Sequence, residues 1–317
     1  MGNKWTTENI PDLHHKVIVI TGANSGIGFE AARAFAQKGA IVILACRNMQ
    51  KAQEATTRIL EDNPDAILDI MPLDLAEQAS VKAFSGAFHK KYDRLDILLN
   101  NAGIMAVPYA KTVDGFEQQF ATNHLGHFAL TGLLMDRLLE TPQSRVVNIS
   151  SNAHRWGEID FDNLMYENGE GYKSFSAYGR SKLANLLFTL ALQKRFEAIG
   201  SDSLALAAHP GGSNTNLADH FKDHWYGGLV SGVLSIMMQN AAMGALPGIR
   251  AAVDPNVKGG EYFGPDGFKE QRGYPVEVKT SERAQDEALA ERLWQASEVL
   301  TGIHYEALEN ARDAVTI

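Results

Sequence analysis

Residues 16–28, KVIVITGANSGIG, decide the fold. The β-branched run VIVI at 17–20 is typical of a strand buried on both faces of a parallel sheet. A glycine-rich turn follows, and residues 29–38 have helical periodicity that ends at Gly39, a favourable C-cap. Such a strand, turn and helix form a phosphate cradle, because glycine lets the backbone approach and the helix N-terminus offers free N–H groups. The alternative is a tight turn without a ligand. The residues predicted to hold a pyrophosphate are Gly22, Asn24, Ser25, Gly26, Ile27 and Gly28.

The end of the second predicted strand, residues 40–45, indicates which nucleotide the cradle takes. In such a fold a dinucleotide ribose lies here, and a carboxylate would bind its 2′-hydroxyl and repel a 2′-phosphate. Arg47 and Asn48 stand here instead, and a guanidinium suits a phosphate dianion because it offers several donors in a planar fork. The sequence therefore predicts contacts from Arg47 and Asn48 to NADP(H) rather than NAD(H). The alternative is that Arg47 is a solvated charge.

More strand-like runs alternate with helical segments, so the sequence predicts one α/β domain with a doubly wound (Rossmann), mostly parallel sheet of about seven strands. Small or polar residues follow several strands, at the edge where ligands bind in open parallel sheets. Asp74 either meets the adenine amino group or caps the next helix, and both interpretations stay open. The contacts predicted at these strand ends are Asp74, Leu75, Asn101, Ala102 and Gly103. The further strands are expected at residues 67–72, 95–99, 145–149, 203–208 and 260–263.

Tyr178 and Lys182 lie four residues apart in a predicted helix, residues 175–197, and therefore on one face of it. A free phenol titrates near ~10, and a neighbouring positive charge lowers its pKa. A phenol tuned in this way exchanges a proton with a carbonyl or alcohol oxygen near neutral pH. The alternative for the pair alone is a surface tyrosine and a surface lysine.

Two further polar positions are candidates for the same site. Asn123 lies in the apolar face of a predicted helix, residues 116–139, where it must find partners and can bend the helix or hold a water. Ser150 and Ser151 end a predicted strand, where a hydroxyl either binds a carbonyl oxygen or caps a helix. The serine pair lacks the Gly-x-Ser-x-Gly elbow, which excludes an α/β-hydrolase.

Histidines at metal-ligand spacing do not predict a metal site in this chain. His124 and His127 lie three residues apart, but no third ligand is evident near them. His220 and His224 have the spacing of a zinc motif without its glutamate. No metal is therefore predicted.

In this order, the motifs resemble those of the short-chain dehydrogenase/reductase family. Each motif alone is short, whereas the ordered set is specific. Residues 45–48, 148–154 and 181–185 resemble, more narrowly, the retinol dehydrogenase and WW-domain oxidoreductase branch. The resemblance covers roughly residues 16–215, through Thr21-Gly22-x-x-x-Gly26-Ile27-Gly28, Asn100-Asn101-Ala102-Gly103, Asn123, Ser151, Tyr178-x-x-x-Lys182 and Pro210-Gly211.

The resemblance implies catalytic roles for four residues. Tyr178 is the acid/base, and Lys182 lowers its pKa and binds the nicotinamide ribose hydroxyls. Ser151, the later serine of the pair, holds the substrate oxygen. Asn123 keeps a water in a proton relay.

The resemblance also implies that residues after the sixth strand contact the cofactor. Pro210 and Gly211 lie beside the nicotinamide, and Thr215 contacts the cofactor amide or phosphate. Ser213 stands where the family usually has a branched residue, two positions after the glycine, so the sequence departs from the family pattern beside Thr215.

Two segments are expected to shape the substrate site. Residues 152–177 form an insertion that is longer than usual in the family and rich in aromatic residues, so it is expected to line the pocket and to affect dimer packing. Residues 213–250 are expected to form an apolar substrate lid, with a core helix or contact with a membrane surface as the less favoured interpretations. The oligomeric state stays open between monomer and homodimer. The tail after Ile303 is polar and expected to be peripheral.

The predicted function is NADP(H)-dependent hydride transfer between the nicotinamide and a small apolar ketone, aldehyde or alcohol, with reduction as the expected direction. One alternative is a carbon–carbon double-bond reductase, as in the protochlorophyllide reductases. That chemistry is expected to need a cysteine near the substrate, and Cys46, the single cysteine, lies at the ribose end. The other alternative is a non-catalytic NADP(H)-binding scaffold, which would tend to lose Tyr178 or Lys182.

Composition and charge limit the partners and the cellular compartments that are expected for this protein. The 317 residues carry 29 basic and 38 acidic side chains, a net charge of −9 that argues against nucleic acid as a partner. A single cysteine cannot form an intramolecular disulfide, which favours a reducing compartment. The first 13 residues hold no apolar run, and no apolar run is long enough to span a membrane, so a cytoplasmic location is expected.

Overall fold

A computed structural model of the chain describes residues 4–212 and 240–315. The strands in these two ranges form one eight-stranded sheet in the order 3-2-1-4-5-6-7-8. The first seven strands are parallel to their neighbours and the eighth is antiparallel. The strands are β1 (Val17–Thr21), β2 (Ile41–Cys46), β3 (Ile67–Pro72), β4 (Ile97–Asn100), β5 (Arg145–Ile149), β6 (Leu204–Ala208), β7 (Tyr262–Pro265) and β8 (Pro275–Glu277).

Helices cover both faces of this sheet, so the predicted doubly wound architecture is confirmed. The helices are α1 (Gly26–Ala36), α2 (Met49–Asp62), α3 (Gln78–Lys91), α4 (Gln118–Phe120), α5 (Gly126–Leu133), α6 (Met135–Glu140), α7 (Ser174–Ala198), α8 (Ala241–Val253), α9 (Glu287–Thr301) and α10 (Glu306–Val315).

The central strand β1 shows why the sequence is apolar without alternation. Val17 and Val19 belong to the core that contains residues of α3, α5 and α7. Ile18 and Ile20 belong to the opposite core, with residues of α1, α2 and α8. Because successive side chains of a strand point to opposite faces, a strand between two cores must be apolar at every position.

The eighth strand was not predicted. β8 pairs with β7 through Phe263 opposite Glu277 and Pro265 opposite Pro275. The strand PVE is three residues long and contains one β-branched side chain, so it carries no run or alternation that predicts a strand. Its position depends on the long-range pairing with β7.

The single helix predicted over residues 116–139 is divided in the structure into three α-helical segments, α4, α5 and α6, and one π-helical turn. Asn123 lies in a π-helical turn, Ala121–Leu125, between α4 and α5. A second break occurs at Leu134, where φ is −109°. The helix is therefore irregular at Asn123, where π turns are frequent at functional sites, and a bend there stays a prediction.

The prediction of a peripheral tail after Ile303 was wrong. Tyr305 is 2% exposed, its hydroxyl donates to the Phe128 carbonyl at 2.7 Å, and its ring centre lies 4.4 Å from that of Trp294. Leu308 at the start of α10 is also buried. Two apolar side chains at short spacing within a polar segment suffice to dock it, since each fully buried one stabilises by roughly 1.5–3 kcal/mol.

The predicted lid lies largely outside the described residues. Its last part belongs to α8, which packs against α1 and buries Leu246 and Ile249. Across residues 4–212 and 240–315, every helix is too short or too polar to cross a membrane.

Candidate active site

A cleft of about 560 Å³ opens at the carboxyl ends of the parallel strands. β1 and β4 are neighbours at its centre, where the strand order reverses direction and ligands bind in doubly wound sheets. Most of the predicted site residues line it. These are Gly22, Asn24, Ser25, Gly26, Ile27, Arg47, Asn48, Asp74, Leu75, Asn101, Ala102, Gly103, Tyr178, Lys182 and Pro210.

Four other predicted residues, Gly28, Asn123, Ser151 and Gly211, are not among the residues that line this cleft. Thr215 lies outside the described residues. The sequence prediction missed further lining residues. Of these, Lys51 could have been found, because it lies in the first turn of α2 and its N–H donates to the predicted site residue Asn48 at 2.9 Å. The missed residues are Ala45, Lys51, Leu73, Ile104, Met105, Gln118, Thr122 and Ile149, and Ser150, the serine not chosen from the pair, also lines the cleft.

The glycine turn has the backbone shape that a pyrophosphate needs. Gly22 and Gly26 have φ of 67° and 58°, in the left-handed region that favours glycine. A Cβ on Gly28 would lie 2.4 Å from the Asn101 amide nitrogen, so the turn and β4 approach closely only because Gly28 has no side chain. Ser25 makes no capping hydrogen bond to α1, which leaves the first N–H groups of this helix facing the cleft. The cradle therefore fits the phosphates of a dinucleotide.

Cys46 contacts the backbone of the glycine turn, a role that was not predicted from the sequence. The thiol is 1% exposed, and the backbone N–H groups of Ala23 and Asn24 donate to it. Burial raises the pKa of the Cys46 thiol to about 11, although the two N–H donors lower it in part. The side chain is therefore a neutral hydrogen-bond acceptor at neutral pH.

Arg47 and Asp74 face each other at the ribose end of the cleft. The Arg47 Nη1 atom lies 3.8 Å from Asp74 Oδ2, and the Arg47 side chain is 71% exposed. Asp74 accepts the Ala76 N–H at 3.0 Å, whereas the N-cap of α3 is Glu77. Asp74 is therefore not the N-cap of the helix, and its contact with an adenine stays a prediction.

Tyr178 and Lys182 lie one turn apart on α7, as predicted. The Lys182 ammonium is 5.6 Å from the centre of the Tyr178 ring and donates to the Ile149 carbonyl at 3.0 Å. Lys182 is 4% exposed, and burial lowers its pKa to about 8. The ammonium thus lies where β5 ends, and both Lys182 and Tyr178 line the cleft.

The pKa of Tyr178 is shifted in the direction opposite to the prediction. Burial raises it to about 12, and the hydrogen bond with Ser151 lowers it only in part. Desolvation penalises the phenolate more than its surroundings stabilise it. Lys182 directs its ammonium to the Ile149 carbonyl and is itself desolvated. Tyr178 is therefore a protonated phenol at neutral pH, ready to donate.

The structure separates the two serines that the sequence left side by side. Ser151 hydrogen-bonds to Tyr178 and also accepts the Ala153 N–H at 3.2 Å as the N-cap of a short 3-10 helix, Asn152–Trp156. The Ser150 hydroxyl donates to the Lys182 carbonyl at 2.8 Å, so it is turned towards the α7 backbone. The geometry favours Ser151 as the partner of a substrate oxygen.

Asn123 is fully buried and joins three elements. Its amide oxygen accepts the Ile104 N–H at 2.8 Å, and its NH₂ group donates to the Ile104 carbonyl and the Ser181 hydroxyl, each at 2.9 Å. The π turn therefore holds the loop after β4 against α7. A water held by Asn123 stays a prediction.

Arg180 lies between Tyr178 and Lys182 on α7 and was not singled out from the sequence. Its Nε donates to the Glu158 carbonyl at 2.9 Å, and its Nη1 to the carbonyls of Asn163 and Leu164 at 2.7 and 2.8 Å. The guanidinium also lies 4.1 Å from the centre of the Tyr166 ring. One buried cation thus fastens the segment of residues 152–177 to the helix that carries Tyr178.

The same segment closes on α7 through small residues. A Cβ on Gly157 would lie 2.3 Å from the Gly179 carbonyl oxygen, and one on Gly179 would lie 2.9 Å from the indole of Trp156. Trp156 is 57% exposed beside the tyrosine that precedes Gly179. The cleft lining in the described part of the chain includes no residue of 152–176, so a role of this segment in the substrate pocket stays a prediction.

The histidines at metal-ligand spacing have protein partners. His127 lies 2.8 Å from the Thr21 hydroxyl and 3.0 Å from the Asn123 carbonyl, and His124 lies 2.9 Å from the Ser297 hydroxyl. Burial lowers their pKa values to about 4 and about 3. Within the described ranges, no cluster of three or more His, Cys, Asp or Glu side chains is arranged to hold a metal ion.

Known proteins share this architecture. The family model described as short chain dehydrogenase matches residues 16–224. Retinol dehydrogenase 12 of Mus musculus is 41% identical over 293 residues, which cover 92% of this chain and 88% of that protein.

Two solved structures extend the comparison. A crystal structure of an uncharacterized protein from Mycobacterium Paratuberculosis has 40% identity and a TM-score of 0.80, covering 96% of this chain and 99% of that one. A short chain dehydrogenase structure from Escherichia coli CFT073, described as complexed with NADPH, has 26% identity and a TM-score of 0.54, covering 67% of this chain and 84% of that one.

Proposed function

Because this chain belongs to the short chain dehydrogenase family, we propose that it transfers a hydride between NADP(H) and an apolar aldehyde, ketone or alcohol. One observation carries the proposal: the phenol of Tyr178 hydrogen-bonds to Ser151, one helical turn before a buried ammonium, at the edge of a dinucleotide-sized cleft. That set of a proton donor, a hydroxyl and a cation is what carbonyl reduction requires.

The assignment of the cofactor is argued from the two ends of the cleft. The glycine turn and the N-terminus of α1 would hold the pyrophosphate. Arg47 would meet a 2′-phosphate, because no carboxylate precedes it at the end of β2 to bind a free 2′-hydroxyl. The relative from Escherichia coli CFT073 is described with NADPH, which agrees with this assignment.

NADPH, when bound, supplies the hydride, and the residues of the chain handle the proton and the developing charge. Ser151 and Tyr178 would both hydrogen-bond to the substrate oxygen, and Tyr178 would give it a proton. Lys182, protonated below a pH of about 8, would hold ribose hydroxyls and place positive charge beside the phenol. The raised pKa of Tyr178 favours the protonated phenol and hence the reductive direction.

The substrate class is inferred from the relatives and from the sequence. The mouse relative is named a retinol dehydrogenase, so long apolar aldehydes such as retinal are the first candidates. The aromatic residues of 152–177 agree with an apolar substrate, since Trp156 is largely exposed next to Gly179, the residue that follows Tyr178.

The test is oxidation of NADPH by the purified protein against retinal-like, steroid, aromatic and short aliphatic carbonyls. We expect turnover with at least one apolar class, and a loss of at least about 1000-fold in Tyr178→Phe with NADPH binding retained. A near-normal rate in Tyr178→Phe would refute the proposed acid, and the absence of any turnover across the panel would refute the function. Tyr109→Phe, which removes a phenol that does not line the described cleft, is the matched control.

A further inference from the structure

Glu270 joins two loops that end neighbouring strands of the sheet. β5 is followed by Ser151 and the 3-10 helix Asn152–Trp156. β6 is followed by the turn of residues 209–212, which contributes Pro210 to the cleft. A short 3-10 helix, Phe268–Glu270, lies in the connection from β7 to β8 and reaches both.

The carboxylate of Glu270 contacts one nitrogen side chain from each loop. Its Oε2 lies 3.0 Å from His209 Nε2, and its Oε1 lies 3.2 Å from Arg155 Nη2. The His209 side chain is completely buried, whereas Glu270 is a quarter exposed. The pKa of Glu270 is lowered, first by its contact with His209 and then further by Arg155, so the carboxylate is charged at neutral pH.

Backbone contacts run between the same three segments. The Gly212 N–H donates to the Gln271 carbonyl at 2.8 Å, and a Cβ on Gly211 would lie 2.5 Å from that same oxygen. The Asn152 amide donates to the Lys269 carbonyl at 3.4 Å. The segment 268–271 therefore touches both loops through its backbone as well as through Glu270.

The backbone of this segment is held in an uncommon conformation. Lys269 and Glu270 have φ of 52° and 57°, a region that L-residues other than glycine rarely adopt. Such a conformation persists where surrounding contacts determine it, and it often marks a functional constraint. Here it directs the Glu270 carboxylate between His209 and Arg155.

We propose that Glu270 is a positioning residue, which fixes the position of the Pro210–Gly211 turn relative to the loop of Ser151. The proposal rests on the proposed function, in which Ser151 binds the substrate oxygen and the turn passes the nicotinamide. The distance between the hydride donor and the substrate carbon then depends on how these two loops are placed. Small displacements of reacting groups cost large factors in rate, so a tie between the loops bears directly on the rate of hydride transfer.

Glu270→Gln tests the tie without removing a residue that lines the cleft. Glu291→Gln is the matched control, because Glu291 also forms an ion pair between two elements, 2.8 Å from Arg195, away from the cleft. In hydrogen exchange, we expect Glu270→Gln to speed exchange at least about threefold in residues 152–157 and in residues 209–212 together. Faster exchange confined to residues 268–271, or equal to that in Glu291→Gln, would overturn the proposal.

The kinetic test is the single-turnover rate of NADPH oxidation with enzyme in excess, which does not depend on the active fraction. We expect Glu270→Gln to lower this rate constant about tenfold while the Kd for NADPH changes less than about threefold, because the pyrophosphate and ribose contacts are untouched. Glu291→Gln should retain the normal rate constant. An unchanged rate constant in Glu270→Gln would refute the catalytic part of the proposal.

A double variant separates a shared tie from two independent contacts. If Glu270 acts through Arg155, the variant with Glu270→Gln and Arg155→Met should lose about as much as the single variants, not the product of their losses. Multiplying losses would mean that the two residues act separately. If the wild-type protein turned over no carbonyl, the proposed function would fail, while hydrogen exchange would still decide whether the tie exists.

Discussion

Arg47 follows β2 directly, where we expect the charge of one side chain to discriminate between NADP(H) and NAD(H). Arg47→Asp should change the ratio of kcat/KM between NADPH and NADH by about 100-fold in favour of NADH. The physical reason is that a charge-assisted hydrogen bond is lost and a like charge faces the 2′-phosphate, which together cost roughly 3 kcal/mol. Steady-state kinetics with both cofactors measure the ratio. Arg58→Asp, on the exposed face of α2, is the control, and an equal effect in both variants would contradict the assignment of Arg47.

We expect Lys182 to make the binding of the cofactor pH-dependent. Its pKa is lowered by burial to about 8, so the ammonium is present below this pH and is lost as the pH rises through it. The Kd for NADPH should therefore increase as the pH rises above about 8, approaching a tenfold change per pH unit if only the charged form binds. Fluorescence titration of NADPH from pH 6 to 10 measures the profile. Lys182→Met should flatten it, and an identical pH dependence in Lys182→Met would show that another group is responsible.

The spacing of Tyr178 and Lys182 predicted that both lie on one face of a helix, but not the pKa values of their side chains. Helical periodicity and a spacing of four residues depend only on local geometry. The pKa of Tyr178, in contrast, is raised because the fold removes water from the phenol, and this burial depends on residues far away in the chain. The choice of Ser151 over Ser150 depends on the same packing, since each hydroxyl is directed to a different partner on α7.

At the scale of elements, Arg180 fastens residues 152–177 to α7. Arg180→Met removes three hydrogen bonds to the carbonyls of Glu158, Asn163 and Leu164, and we expect it to lower the free energy of unfolding by about 2–4 kcal/mol. Chemical denaturation measures this loss. Limited proteolysis should then cut first within residues 158–170.

Arg292→Met is the control for this prediction. Arg292 also stacks on an aromatic ring of the segment, 4.0 Å from the centre of Phe161, but it is exposed and should matter little. If both variants lost the same stability, the buried hydrogen bonds of Arg180 would not be what holds the segment.

Two strands begin and end at the predicted residues. β3 and β5 are short runs in which apolar residues predominate, and such runs are recognised from local sequence. β8 and the π turn at Asn123 were not predicted, because neither follows from the local preferences of its own residues. The first is set by pairing with β7, and the second by hydrogen bonds from Asn123 to Ile104 and Ser181.

At the scale of the whole molecule, buried histidines should make the fold acid-sensitive. Burial lowers the pKa of His124 to about 3 and those of His127 and His154 to about 4, from an ordinary value of 6.5. Between these values the unfolded chain binds more protons than the folded one. The contribution of these neutral histidines to the free energy of unfolding is therefore complete above pH 6.5 and is lost as the pH falls towards about 4.

Urea denaturation at a series of pH values measures the slope of stability against pH in this window. His124→Gln should reduce the slope, since the glutamine cannot take up a proton, whatever its effect on the absolute stability. His304→Gln, which alters an exposed histidine, should leave the slope unchanged. A slope unaffected by His124→Gln would mean that other groups cause the acid sensitivity.

The sequence by itself determined the alternation of strands and helices, the phosphate cradle, and the shared face of Tyr178 and Lys182. These features follow from periodicity, glycine spacing and helical geometry, which act over a few residues. Only the tertiary structure decided that Tyr178 is a protonated phenol beside Ser151, that Arg180 binds residues 152–177, and that Glu270 lies between His209 and Arg155. Burial and contacts between distant segments exist only once the chain has folded, so no local pattern encodes them.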